Sequence, residues 1–204
     1  MKDLLAVANE RYFAVPAFNI GTNVILKTVL ECCEEKKAPV ILAIHPFELQ
    51  FQGDDFLAHC IAAAQKASVP VTIHLDHGSE IGQIYRAIRD GFTSVMIDAS
   101  HASMEDNIAI CKKVVEIAHP LGISVEGELG TIGTVGNDTE GGTGEIIYTK
   151  PEDAVRFVQE TGVDTLAIAI GTAHGIYPKG FKPELKLDLL KEIKSKVHVP
   201  LVLH

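Results

Sequence analysis

Short β-branched runs alternate with amphipathic helical stretches along the whole chain, and this alternation limits the possible folds more than any other feature. The runs recur at intervals of roughly 30 residues, the size of one β/α repeat. They fall at residues 13–19, 40–45, 71–76, 94–98, 123–128, 165–170 and 201–204. Continuous apolar runs of this kind suit strands buried on both faces, as in a parallel sheet. Helical patterns fill the intervals at 24–36, 55–66, 79–89, 104–118, 152–160 and 187–196. The boundaries carry matching chemistry. Thr149 and Glu152 have capping-box spacing, and Gly162 stands where a left-handed residue would end the helix before it. Pro39, Pro70 and Pro200 each precede a strand directly, where a missing N–H is tolerated.

Seven strands with helical crossovers fit either a doubly wound open sheet or a (β/α)8 TIM barrel. The polar residues favour the barrel. Asn19, His45, Asp76, His77, Asp98, Glu128, His174 and His204 all fall at or just beyond the C-terminal ends of successive runs. In a barrel those ends converge on one mouth, whereas an open sheet offers a site only at its switch point. The expected fold is therefore α/β, a (β/α)8 TIM barrel, with residues 1–204 forming a single domain that stops at strand seven. Seven units would leave an open edge, so the chain is expected to continue past His204 into a C-terminal unit.

Composition narrows the partners. With 18 basic and 27 acidic side chains, the formal charge of −9 repels a phosphate backbone and argues against nucleic acid. No run approaches the roughly 20 apolar residues needed to cross a bilayer, and no cleavage pattern follows the first residues, so no membrane is expected and the location reads as cytoplasmic. Cys32, Cys33, Cys60 and Cys111 lie in helical patterns without metal or redox spacing and read as reduced thiols packed as small hydrophobes. The irregular segment 130–149, rich in Gly and Thr, has the length and position of a lid at the mouth.

Chemistry concentrates in the histidines. The third strand ends His74-Leu75-Asp76-His77-Gly78, the sixth leads into Gly171-Thr172-Ala173-His174-Gly175, and the seventh ends Leu201-Val202-Leu203-His204. A lone imidazole at any of these places reads as a satisfied polar side chain. Three from three strand ends, with a fourth position open and an acid alongside, read as a catalytic zinc site.

These residues resemble the class II, zinc-dependent ketose-bisphosphate aldolases, the family of the fructose- and tagatose-bisphosphate enzymes. The resemblance is carried by Val15-Pro16-Ala17-Phe18-Asn19, His74 to Gly78, Ser94-Val95-Met96-Ile97-Asp98, Val125-Glu126-Gly127-Glu128-Leu129-Gly130, Asp164 to Gly175 and Val199 to His204, and so spans the chain. It implies the barrel fold, carbohydrate metabolism of the glycolytic kind, and reversible cleavage of a phosphorylated ketose to dihydroxyacetone phosphate and an aldehyde. It also implies zinc on His77, His174 and His204, with Asp76 as the catalytic acid/base. Asp98 and Glu128 match carboxylates near the metal that serve as alternate metal positions. Asn19 matches a substrate-orienting amide, and Gly175 a residue at the site of the substrate phosphate and a monovalent cation. A homodimer or homotetramer is implied as well.

Three departures accompany the match. The family usually carries Gly-Gly-x-Glu-Asp in its mobile loop, and here Gly136 stands where that Glu belongs, leaving Asp138, Glu140 or Glu145 as substitutes. His45 occupies a position where the family often has a small hydroxyl residue, which would either alter substrate choice or fill the mouth. The phosphate loop that follows the last His in the family lies beyond residue 204. Two function classes are consistent with this sequence: an active zinc aldolase, favoured by the retained histidines and Asp76, and a non-catalytic barrel subunit or a relative with a different sugar substrate, favoured by the missing lid Glu.

Overall fold

The computed structural model describes residues 1–134, 146–177, 179–180 and 182–204. Gly136, Asp138, Glu140 and Glu145, and with them most of the segment read as a lid, lie outside the described residues. The chain divides into two compact units, Met1–Ile97 with Ala118–Val125, and Asp98–Ile117 with Glu126–His204.

The first unit contains α1 (Lys2–Arg11), β1 (Ala17–Asn19), α2 (Asn23–Lys36), β2 (Val40–Ile44), α3 (Pro46–Gln52), α4 (Asp54–Lys66), β3 (Val71–Gly78), α5 (Ile81–Asp90) and β4 (Ser94–Ile97). Its strands pair in parallel and in chain order, β1 to β2, β2 to β3 and β3 to β4. A doubly wound sheet reverses its strand order partway, and no reversal occurs here. All five residues of β2 are buried, as expected for a central parallel strand. Leu26, Leu30 and Cys33 of α2, Phe56, Leu57 and Cys60 of α4, and Ile84 and Ala87 of α5 supply the buried face of the helices. Met1, Leu5, Ala8 and Ile41 form a separate apolar cluster.

The second unit contains α6 (Met104–Ala118, its last residue counted with the first unit), most of β5 (Ser124–Leu129), β6 (Gly133–Thr134), α7 (Pro151–Thr161), β7 (Thr165–Ile168), β8 (Ala173–His174), α8 (Leu187–Lys196) and β9 (Leu201–Val202). β5 pairs with β7 and β7 with β9, again in parallel and in chain order, while β6 and β8 form a short parallel pair of their own. The seven runs expected from the sequence are β1 to β5, β7 and β9, and the fold class is the expected α/β succession of the (β/α)8 type.

Several boundaries differ from expectation. Tyr12 takes a left-handed conformation, φ 59°, and caps an α1 that the periodicity did not mark. β1 then shrinks to three residues. His45 leaves β2 to cap α3, another unmarked helix, whose first position holds Pro46. The Thr149–Glu152 capping box does not form: the residue before α7 is Lys150, with no side-chain cap. The Thr149 hydroxyl instead donates to the Leu129 carbonyl and accepts from Ala169 N–H at 2.9 Å, joining the ends of β5 and β7. Gly162 does end α7 in the left-handed region, φ 73°. Of the cysteines, Cys33, Cys60 and Cys111 pack as small hydrophobes, but Cys32 is exposed.

Candidate functional site

Each unit gathers its own polar groups at the C-terminal ends of its strands. In the first unit these are Asn19, His45, Asp76 and His77. The amide of Asn19 donates to Asp76 Oδ2 at 3.1 Å. Asp76 and His77 are both buried, with Asp76 Oδ1 4.0 Å from His77 Nε2. Neighbours in a regular strand point to opposite faces. Here the β3–β4 register shifts between Leu75 and Gly78, and His77 takes φ 47°, so one extra residue is accommodated and both side chains are buried close together. Gly78 makes the bend possible, since a Cβ there would stand 2.7 Å from the Met96 carbonyl oxygen. The His77 N–H reaches Met96 Sδ at 3.4 Å.

His45 Nδ1 accepts the Phe47 N–H at 3.2 Å, and the His45 ring lies 6.4 Å from that of His77. The third imidazole of this strand region, His74, lies deeper in β3, with Nδ1 2.8 Å from Ser94 Oγ. It is a core residue tied to β4.

In the second unit the polar groups are Asp98, Glu126, Glu128, His174 and His204. The pattern Glu126-Gly127-Glu128 explains two of them. A Cβ at Gly127 would stand 2.9 Å from the Phe157 ring and 3.3 Å from Cys111 Sγ, so this glycine lets α6 and α7 close on β5. Alternation then turns both glutamates to the face away from those helices. Both are buried, Glu126 completely. The strand end is held from outside by Asn107, whose amide donates to the Glu128 carbonyl at 2.9 Å and whose Oδ1 accepts from Cys111 Sγ.

Asp98 Oδ1 accepts from the backbone and hydroxyl of Ser100, at 3.0 and 2.7 Å, which fixes the carboxylate as the chain leaves β4. One of its oxygens lies within 4.8 Å of a Glu128 carboxylate oxygen. Two carboxylates this close favour a cation or a shared proton between them.

The rings of His174 and His204 are 6.3 Å apart, edge to face, with a ring nitrogen of each within 4.8 Å of the other. Two ligands about 2.1 Å from a tetrahedral zinc lie roughly 3.4 Å apart, so a small side-chain adjustment brings this pair onto one ion. Imidazole with nearby carboxylate is also the donor chemistry of such a metal. Gly175 follows His174 with φ 94°, turning the chain directly after the imidazole. Glu126 and Thr165, which the sequence reading left without a role, join this group: Glu126 Oε1 is 3.0 Å from His204 Nε2, and Oε2 accepts from Thr165 Oγ at 3.0 Å. The signal for Glu126 was its spacing of two from Glu128.

Comparison with known proteins follows the same lines. The family described as "Fructose-bisphosphate aldolase class-II" matches residues 1–204. A fructose-bisphosphate aldolase of Thermus caldophilus is 41% identical over 202 residues, covering 99% of this chain. The chain spans 66% of the length of that relative. Among solved structures, the YdjI aldolase of Escherichia coli K12 superposes with a TM-score of 0.85 at 35% identity, over 100% of this chain and 70% of the other. A Coccidioides immitis structure described as a candidate fructose-1,6-biphosphate aldolase gives a TM-score of 0.90 at 34% identity, over 99% and 71%.

Proposed function

The chain belongs to the class-II fructose-bisphosphate aldolase family, and on that premise we propose that the protein is a zinc-dependent aldolase, reversibly cleaving a phosphorylated ketose of the fructose- or tagatose-1,6-bisphosphate type to dihydroxyacetone phosphate and an aldehyde. His77, His174 and His204 would hold the metal, and Asp98 and Glu128 would offer a secondary position for it. The observation that carries this reading is the pair of imidazoles on His174 and His204, with a nitrogen of each within 4.8 Å of the other.

Zinc, when bound, supplies Lewis acidity toward the ketone oxygen. The chain's own residues do the rest. Asp76 takes the proton of the C4 hydroxyl as the carbon–carbon bond breaks and returns it in the condensation direction. Its Oδ2 accepts from the Asn19 amide and its Oδ1 lies 4.0 Å from His77 Nε2, so the carboxylate is oriented from both sides. Asn19, exposed beside Asp76, is the substrate-orienting amide, and Gly175 lines the position of the substrate phosphate and a monovalent cation. The working protein is a cytoplasmic homodimer or homotetramer in carbohydrate metabolism, with residues 1–204 acting as one barrel domain. No helix among the described residues is long and apolar enough to cross a membrane.

One feature of the sequence favours a second reading: Gly136 in place of the lid glutamate suits a non-catalytic subunit or a relative with another sugar. One experiment separates the two. The natural full-length protein should carry about one zinc per chain, consistent with a three-histidine site, and His174→Ala should lose zinc and turnover together. Asp76→Ala should keep zinc while kcat falls at least about 10²-fold, the lower range for a positioned acid/base. Full zinc occupancy in His174→Ala would remove that ligand, and a zinc-loaded parent inert toward both sugars would favour the second reading.

A further inference from the structure

Glu126 plays no part in the reading above, yet among the described residues it is the most completely enclosed carboxylate of the second unit. Both of its oxygens are engaged, Oε1 with His204 Nε2 at 3.0 Å and Oε2 with Thr165 Oγ at 3.0 Å. Glu126 and Thr165 are partners in the β5–β7 register, so the hydroxyl is held beside the carboxylate by backbone pairing and prevents it from rotating. While the 3.0 Å contact engages Nε2, a metal held by this ring would take Nδ1, the other ring nitrogen, with the ring proton on Nε2 toward the carboxylate.

We propose that Glu126, locked by Thr165, is the positioning residue of the metal site: it fixes the tautomer and orientation of His204 so that Nδ1 is the ligating atom. The inference rests on His204 being a ligand, as read above. A carboxylate behind a ligating imidazole also raises the basicity of the ring. A purely structural ion pair would have no stake in which nitrogen holds the proton, and this difference makes the two roles separable.

The test uses the natural full-length protein loaded with zinc. Long-range 1H–15N correlation spectra, with His204 assigned by its absence in His204→Ala, should show Nε2 protonated and Nδ1 metal-bound. The reverse pattern overturns the proposal without need of any variant at residue 126. Zinc affinity is then measured by competition with a chromophoric chelator. Glu126→Gln should weaken it by about 10- to 100-fold, the usual cost of losing a partner behind a metal ligand, and Thr165→Val by less. In a His204→Ala background, Glu126→Gln should cause no further loss. An unchanged affinity in folded Glu126→Gln, or an equal loss in both backgrounds, overturns the proposal. Parental zinc affinity in His204→Ala would instead overturn the ligand assignment on which the proposal stands.

Discussion

His77 holds a conformation that few non-glycine residues adopt, and it does so between a buried aspartate and a glycine. A left-handed residue with a side chain costs roughly 1–2 kcal/mol, which glycine does not incur. His77→Gly is therefore expected to be more stable than His77→Ala by about 1 kcal/mol, although both lose the imidazole. Urea unfolding of the two variants in a metal-chelating buffer checks this, and equal midpoints would show that φ 47° is not what the native site imposes. The site was only partly legible in the sequence at this scale. That Asn19, Asp76, His77, His174 and His204 stand at or just beyond the ends of apolar runs could be read directly. Strict alternation, however, would send Asp76 and His77 to opposite faces, and a histidine carries no mark of a positive φ. The link from Glu126 to His204 was hidden for another reason: it spans 78 positions and depends on how separate strands align.

Helices and strands were read most securely where period and punctuation agreed. α6 and α8 match the expected ranges, and Ser103, whose hydroxyl accepts from Asp106 N–H at 3.2 Å, gives α6 a conventional start. α1 and α3 escaped because neither is set by a strong apolar stripe: α1 buries only Leu5 and Ala8, and α3 only Leu49. Thr149 shows a local motif overruled by packing. Its hydroxyl satisfies the Leu129 carbonyl and the Ala169 N–H inside the protein, where neither could turn to water. Thr149→Val keeps the shape and removes the hydroxyl, leaving two buried backbone groups unpaired. The expected loss is about 2 kcal/mol or more, read as a lower urea midpoint at unchanged m-value, and a loss near zero would mean that the strand ends find other partners.

At the scale of the whole molecule, the β/α period together with the polar residues at the strand ends pointed to the fold class, and the in-order parallel pairing within each unit agrees with it. The period did not reveal the division into two compact units, because each β/α repeat looks alike wherever the boundary falls. The buried thiols are distributed across that division. Burial pushes Cys60 of α4 up to about 11, and burial, with the Asp98 carboxylate adding to it, pushes Cys111 of α6 up to about 12. Well below pH 9 both are neutral in the folded and unfolded chain alike. Above it the unfolded chain ionises first, so the thiols' contribution to stability is complete below pH 9.0 and is lost as pH rises through the folded values. Denaturant titrations from pH 8 upward should show this decline, and a Cys60→Ala, Cys111→Ala double variant should show a shallower one; identical slopes would remove the thiols as its cause. Because Cys60 lies in the first unit and Cys111 in the second, the same two sulfurs are also a pair of natural clocks. The rate at which a small alkylating reagent reaches each one times the opening of its own unit, and equal rates would reveal a single cooperative breath where unequal rates would reveal two.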